Sequence, residues 1–223
     1  KLNKFAAIAA LVFLSFSPLP ARAAVVGWTN WRGPHQSGRS DATDLPKAIK
    51  LTGVGSNLLW THDIAGRGHA VIADGRVYAW GYRGKGADLQ EVLLCLNEAD
   101  GKTIWEHGYN DYLSDTVYSR YTVGAPTIDP ATGWIYLMTT NGGVKCFDAA
   151  GKIQWEYSLM ERFGRLTFPN GRTGAAVIDG DLVIVRGVTS YWGKQGPARD
   201  RFYAFKKKTG AAVTGHPATG QAP

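Results

Sequence analysis

The side chains that could hold a ligand lie outside the apolar runs, in stretches broken by Gly and Pro: Arg67, Arg120, Arg172, Arg162 and Arg199, with Tyr82, Tyr109, Tyr121, Tyr191 and Trp192 among them. A guanidinium forks two parallel N–H donors onto a carboxylate, and an aromatic ring offers a flat face for stacking. The chemistry to expect of such a set is recognition of an oxygen-bearing anion beside a ring. Two alternatives stay open at this level: pairing with the loop carboxylates Asp111, Asp115 and Glu161, and plain solvation.

Other chemistries lose their residues on inspection. Gly66-Arg67-Gly68 and Gly84-Lys85-Gly86 lack the third glycine and the following helix of a nucleotide fingerprint. His35, His62, His69, His107 and His216 show no paired metal spacing, so no metal site is expected from them. No Gly-x-Ser-x-Gly elbow is present, and no stretch has a helix-length period of 3.6.

The elements that must position these loops announce themselves as a repeat. Cys146 to Glu156 reads CFDAAGKIQWE, and Cys95 to Glu106 reads CLNEADGKTIWE with one more residue in the turn. Trp60, Trp105 and Trp155 are 45 and 50 residues apart, and Gly101, Gly151 and Gly210 are 50 and 59 apart. Each unit predicts four strands. The first has 70–73, 76–82, 90–97 and 103–108; the second 125–128, 134–139, 143–147 and 153–157; the third 175–178, 182–187, 201–205 and 211–214. Asp74-Gly75, Asp100-Gly101, Asp179-Gly180 and Thr209-Gly210 close turns, where glycine reaches backbone angles other residues resist. Four-stranded units of this period predict an all-β propeller of antiparallel blades at about 67–108, 120–158 and 172–214. In the third, Thr214 and Ala204 replace the Trp and the Cys. Residues 57–62, around Trp60, read as an orphan strand that closes a ring, and three blades with such an orphan predict an N-terminal fragment of a longer protein.

Length and composition agree: 223 residues, 44% hydrophobic and 12% aromatic, with 28 glycines, suit many short strands and tight turns. Residues 1–23 read as a signal peptide, with Lys1 and Lys4 before a dozen apolar residues and Ala21 and Ala23 before a cleavage site. The run is too short for a membrane span of ~20 residues. Its removal takes three basic residues and no acid, lowering the formal charge from +7 to +4. That predicts an exported protein, periplasmic or extracellular, with no transmembrane segment and no nucleic-acid partner; the Lys206–Lys208 run reads as a solvated turn. Residues 24–56, with Trp28 and Trp31, read as an arm packed on the body. Cys95 and Cys146 fall on equivalent strands of neighbouring units, too far apart to pair, and read as small buried hydrophobes.

The Ala-Gly-Lys-x-x-Trp-Glu closure, the apolar strand before it and the Trp28-x-x-Trp31-Arg32-Gly33-Pro34 arm resemble the exported PQQ-like β-propeller repeat proteins, the quinoprotein-alcohol-dehydrogenase-like superfamily. The resemblance spans about 28–214 and implies seven or eight blades. It implies that Trp60, Trp105 and Trp155, with Gly101 and Gly151, dock one blade on the next. It also permits a quinoprotein oxidoreductase of alcohol or sugar dehydrogenase type using PQQ and Ca²⁺, although the adjacent cysteines of the family's alcohol dehydrogenases are missing. As the superfamily also holds scaffold propellers, the expectation is a binding or scaffold module. Its unknown small molecule, glycan or protein is expected on the face of the long loops 81–89, 108–123, 159–174 and 188–200. There Arg67, Arg120 and Arg172 are the candidates to ring the channel and hold a carboxylate or quinone oxygens. A carbohydrate-binding propeller is the third expectation.

Overall fold

In the computed structural model, residues 23–110, 121–163, 174–189 and 199–217 are described. They form three antiparallel sheets whose strands follow chain order. A short strand β1 (Gly27–Trp28) leads into the first sheet, β2 (Val71–Ala73), β3 (Arg76–Arg83), β4 (Gln90–Asn97) and β5 (Thr103–Asn110). The second is β6 (Thr127–Ile128), β7 (Ile135–Met138), β8 (Gly143–Phe147) and β9 (Ile153–Ser158), and the third β10 (Val177–Asp179), β11 (Leu182–Thr189), β12 (Arg199–Lys206) and β13 (Ala212–Pro217). The fold is all-β, with about three propeller blades, as the repeat predicts. One helical turn, α1 (Leu159–Phe163), follows β9. Ser158 caps it, its Oγ accepting the Glu161 amide at 3.2 Å.

The repeat extends to a defect in the ladder. Cys95 faces Trp105, Cys146 faces Trp155 and Ala204 faces Thr214, and in each pair of strands the register shifts at the next residue. This bulge lets the fourth strand turn its Trp toward the following sheet. The turns also hold: Asp74 and Gly75 carry φ of 50° and 73°, the two left-handed residues of a tight hairpin. In the third unit the strand runs through Asp179, so the turn is Gly180-Asp181, one residue later than expected.

Between sheets, one contact recurs three times. Trp105 Nε1 donates to Ala149 O at 3.1 Å, Trp155 Nε1 to Lys207 O at 2.8 Å, and Trp60 Nε1 to Glu98 O at 2.8 Å. Each indole lies on the turn glycine of the next unit. A methyl group added at Gly101, Gly151 or Gly210 would stand 2.5, 2.7 or 2.7 Å from Trp60, Trp105 or Trp155. Each of the last two also stacks on an aromatic of the following sheet, with ring centroids of Trp105 and Phe147 6.2 Å apart and of Trp155 and Phe205 6.1 Å apart. The apolar faces between sheets form the core, gathering Val71, Leu93, Cys95, Ile135 and Phe147 at the first junction and Tyr136, Val144, Cys146, Val183 and Phe205 at the second.

Two expectations change, at Lys207 and Trp31, while residues 57–62, read as a strand that closes a ring, pair with no strand among the described residues. Trp60 nevertheless reaches the first sheet as Trp105 reaches the second. Lys207 leaves the solvated run, because its side chain is 12% exposed and its Nζ lies 3.2 Å from the buried Asp129 carboxylate. Trp31 is 54% exposed rather than buried, with the Arg32 guanidinium 5.9 Å from its ring centroid.

Only the start of the arm is built into the body, since residues 34–56 are exposed rather than packed on it. Gly27 and Trp28 pair with Ala73 and Ile72, Val25 N donates to Pro130 O at 2.8 Å, and Ile128 N donates to Thr29 O at 2.8 Å. The segment therefore ties the first strand of one sheet to that of the next, with Val25 in the core between them. Gly27 is required there, since at its φ of 152° a Cβ would stand 2.2 Å from Ile72 O.

Candidate functional site

Of the three channel arginines, Arg120 and Arg172 lie outside the described residues, as do Tyr191 and Trp192. Arg67 is exposed, in the approach to β2, and makes no hydrogen bond or ion pair among the described residues. Its neighbourhood is backbone: a Cβ at Gly66 would stand 3.1 Å from Trp80 O, and one at Gly68 2.1 Å from Gly124 O. The first inner strand is thus approached so closely that only glycine fits at 68, and the fit at 66 is tight. Nearby, Trp28 Nε1 donates to His69 Nε2 at 3.1 Å, so this imidazole carries its proton on Nδ1.

Thr122, which aligns with Arg67, takes no part in an open channel. It is fully buried, with φ at 55°, a left-handed angle that a β-branched residue resists. What holds it is Glu91, a carboxylate at 0% exposure on β4. Glu91 Oε1 accepts from the Thr122 amide at 3.2 Å and from the Thr140 hydroxyl, and Oε2 accepts from the Thr140 amide at 3.0 Å. A buried carboxylate is retained only when its oxygens are satisfied, and here they knot the first sheet to the second. The other buried carboxylate, Asp129, is equally committed, to the Thr132 hydroxyl at 2.9 Å, the Ala131 amide at 3.1 Å and Lys207. Neither offers oxygens to a Ca²⁺, and no group of three His, Cys, Asp or Glu residues is placed to hold a metal among the described residues. The described residues accordingly do not assemble a PQQ–Ca²⁺ site.

Cys95 and Cys146 are free and buried. Burial pushes the Cys95 thiol up to about 11 and the Cys146 thiol up to about 12, so neither is a nucleophile at neutral pH.

An open site does exist where the first two sheets splay apart at their outer strands. A cleft of about 730 Å³ is lined by Tyr109 and Asn110 at the end of β5, Thr139 and Asn141 in the β7–β8 turn, Gly143 and Lys145 on β8, Glu156 to Ser158 on β9, and Glu161 on α1. The β7–β8 turn and the end of β5 both belong to the face expected to carry the long loops. Lys145 Nζ bonds Glu156 Oε2 at 2.6 Å and sits 4.3 Å from the Tyr109 ring centroid. Burial, then the charge of Glu156, raises the Tyr109 phenol, which stays protonated. Loop inspection found Tyr109 and Glu161 but passed over Lys145 and Glu156, because these occupy opposed positions of the ladder, a cross-strand pair within the strands themselves.

Comparison with solved structures gives a quinohemoprotein alcohol dehydrogenase from Comamonas testosteroni (TM-score 0.56, 19% identity), covering 86% of this chain and 27% of that one. A europium-containing methanol dehydrogenase matches with TM-score 0.52 and 19% identity, covering 72% of this chain and 26% of that one. BamB from Moraxella catarrhalis gives TM-score 0.38 and 15% identity over 72% of this chain and 41% of that one. The chain thus spans about a quarter of the length of the two dehydrogenases, and at these identities the likeness shows the fold alone. No curated protein matches it. Residues 42–191, more than half of the chain, match the family described as outer membrane protein assembly factor BamB (PQQ_2), and the chain belongs to that family of PQQ-like β-propeller repeat proteins.

Proposed function

We propose that this chain is part of an exported propeller that works as a binding or scaffold module, meeting its ligand or partner on the face where β5 ends and the β7–β8 turn projects. The observation that carries this reading is the division of labour among its polar groups. The buried carboxylates Glu91 and Asp129 are spent in holding sheets together, while the cleft between the first two sheets is lined by accessible polar side chains, Asn110, Glu156 and Glu161 among them. Rigid sheets with a polar, partly aromatic recess suit recognition. Membership of the BamB family supports the same reading. No helix among the described residues is long and apolar enough to cross a membrane, and residues 1–23 supply the export signal in this proposal.

The test uses the full-length protein, incubated with PQQ and Ca²⁺ and passed through gel filtration. Loss of all quinone absorbance, with no alcohol- or sugar-dependent dye reduction, is the expected result. Stoichiometric retention with turnover would overturn the scaffold reading in favour of a quinoprotein oxidoreductase.

A further inference from the structure

We propose that the cleft between the first two sheets binds a neutral saccharide of a few rings; this rests on the binding reading above and names its ligand class. The volume, about 730 Å³, falls in the ~300–1,000 Å³ range of small-molecule sites. The cleft is built from third and fourth strands, whereas Arg67 and the channel expected beside it belong to the first, so it is separate from an axial site.

Its chemistry selects against ions. Lys145 and Glu156 neutralise one another at 2.6 Å, Glu161 adds one negative charge, and Arg162, 5.8 Å from the Tyr157 ring centroid, stands beside the wall with a positive one. Among the described residues no surplus of cation remains to draw in a phosphate or polyanion. What the cleft does offer is mixed donors and acceptors. Asn141 Oδ1 is taken by Thr139 Oγ and Gly143 N, and Asn110 Oδ1 by Gln90 Nε2, which leaves the NH₂ end of each amide as a donor. Glu156 bonds Lys145 through Oε2, which leaves Oε1 as an acceptor, and Glu161 contributes its own carboxylate. Vicinal hydroxyls, each both donor and acceptor, satisfy such alternation; an apolar ligand or a single anion leaves half of it unpaired. Tyr109 and Tyr157 add aromatic wall to the cleft, with Lys145 over one ring and Arg162 over the other, and both are fixed: Tyr109 lies 6.0 Å from Trp80 and Tyr157 4.9 Å from Phe205 between ring centroids. The Tyr109 hydroxyl is buried and has no hydrogen-bond partner among the described residues, a polar group at the wall of the cleft.

The experiment titrates the full-length protein by calorimetry with maltotetraose, cellotetraose, xylotetraose and chitotetraose, with oligogalacturonate and inositol hexakisphosphate as anionic probes. At least one neutral tetrasaccharide is expected to bind with Kd in the range of about 10 μM to 1 mM. Glu156→Gln together with Glu161→Gln, at exposed positions, should weaken that binding at least tenfold with an unchanged thermal midpoint. Arg83→Ala, away from the cleft, should leave it alone. Absence of binding by all four neutral sugars, binding only of the anionic probes, or sugar binding that survives the Glu156/Glu161 variant would each overturn the proposal. Quinone retention is read in a separate assay, so the failure of either idea is visible without the other.

Discussion

At Gly151 the chain asks for two things that only glycine supplies together, a φ of 86° and room for the Trp105 indole, which a Cβ would approach to 2.7 Å. Left-handed strain of ~1–3 kcal/mol and overpacking of ~1–3 kcal/mol should add, so Gly151→Ala is expected to cost about 2–6 kcal/mol in denaturant unfolding. Gly75 separates the two terms: its φ is 73° but nothing lies within 4 Å of its Cβ position, so Gly75→Ala should cost only about 1 kcal/mol. Equal losses at the two sites would show that the indole does not press on the turn. The cysteines give a prediction with a sign. Burial raises the Cys95 and Cys146 thiols to about 11 and about 12, so the folded state favours the thiol. Their contribution is complete below the unfolded thiol value of ~8.5 and is lost as pH rises through 11 to 12. Native protein at pH 8 should therefore resist iodoacetamide and react at both cysteines in denaturant; rapid labelling of the native state would sink this.

At the scale of elements, most of the sheet structure was legible because alternation, turn glycines and the Trp spacing all point the same way. Strand β4 and strand β8 fall where the pattern puts them, 90–97 and 143–147. What was not legible is pairing between distant segments. Trp28 and its neighbours look like a non-periodic arm, and nothing in their residue types says that two of them pair with Ile72 and Ala73 while Thr29 O receives Ile128 N. The cleft was hidden for a related reason, since Tyr109 and Lys145 belong to different units and meet only through the angle between sheets. The arm yields its own test. Val25→Asp, placing a charge at a position 7% exposed, should cost about 3 kcal/mol or more. It should also speed amide exchange at Ile128, while leaving the distant β11–β12 ladder protected. Equal loss of protection everywhere would mean that the arm is not a local tie.

For the whole molecule, junctions matter more than sheets. Each contact is between neighbours only, so stability should behave as a sum over junctions. Trp60→Ala and Trp155→Ala affect junctions with a complete sheet between them, and each should cost about 3–5 kcal/mol by the usual loss of a large packed aromatic. Measured in a full-length background stable enough to tolerate both, the double variant should equal the sum within about 0.5 kcal/mol. A large coupling term would mean that the sheets unfold as one rigid block.

The indole seated on a glycine turn has a further consequence for how such a chain grows. A unit that ends in a Trp plug and carries a glycine socket in its own last turn brings both halves of its interface with it. Copying the unit extends the array without a new surface having to arise. The same economy leaves the exposed polar groups of the outer cleft, such as Asn110, Glu156 and Glu161, outside the plug-and-socket contacts, so they can drift toward a new ligand while the turns and indoles that space the sheets stay as they are.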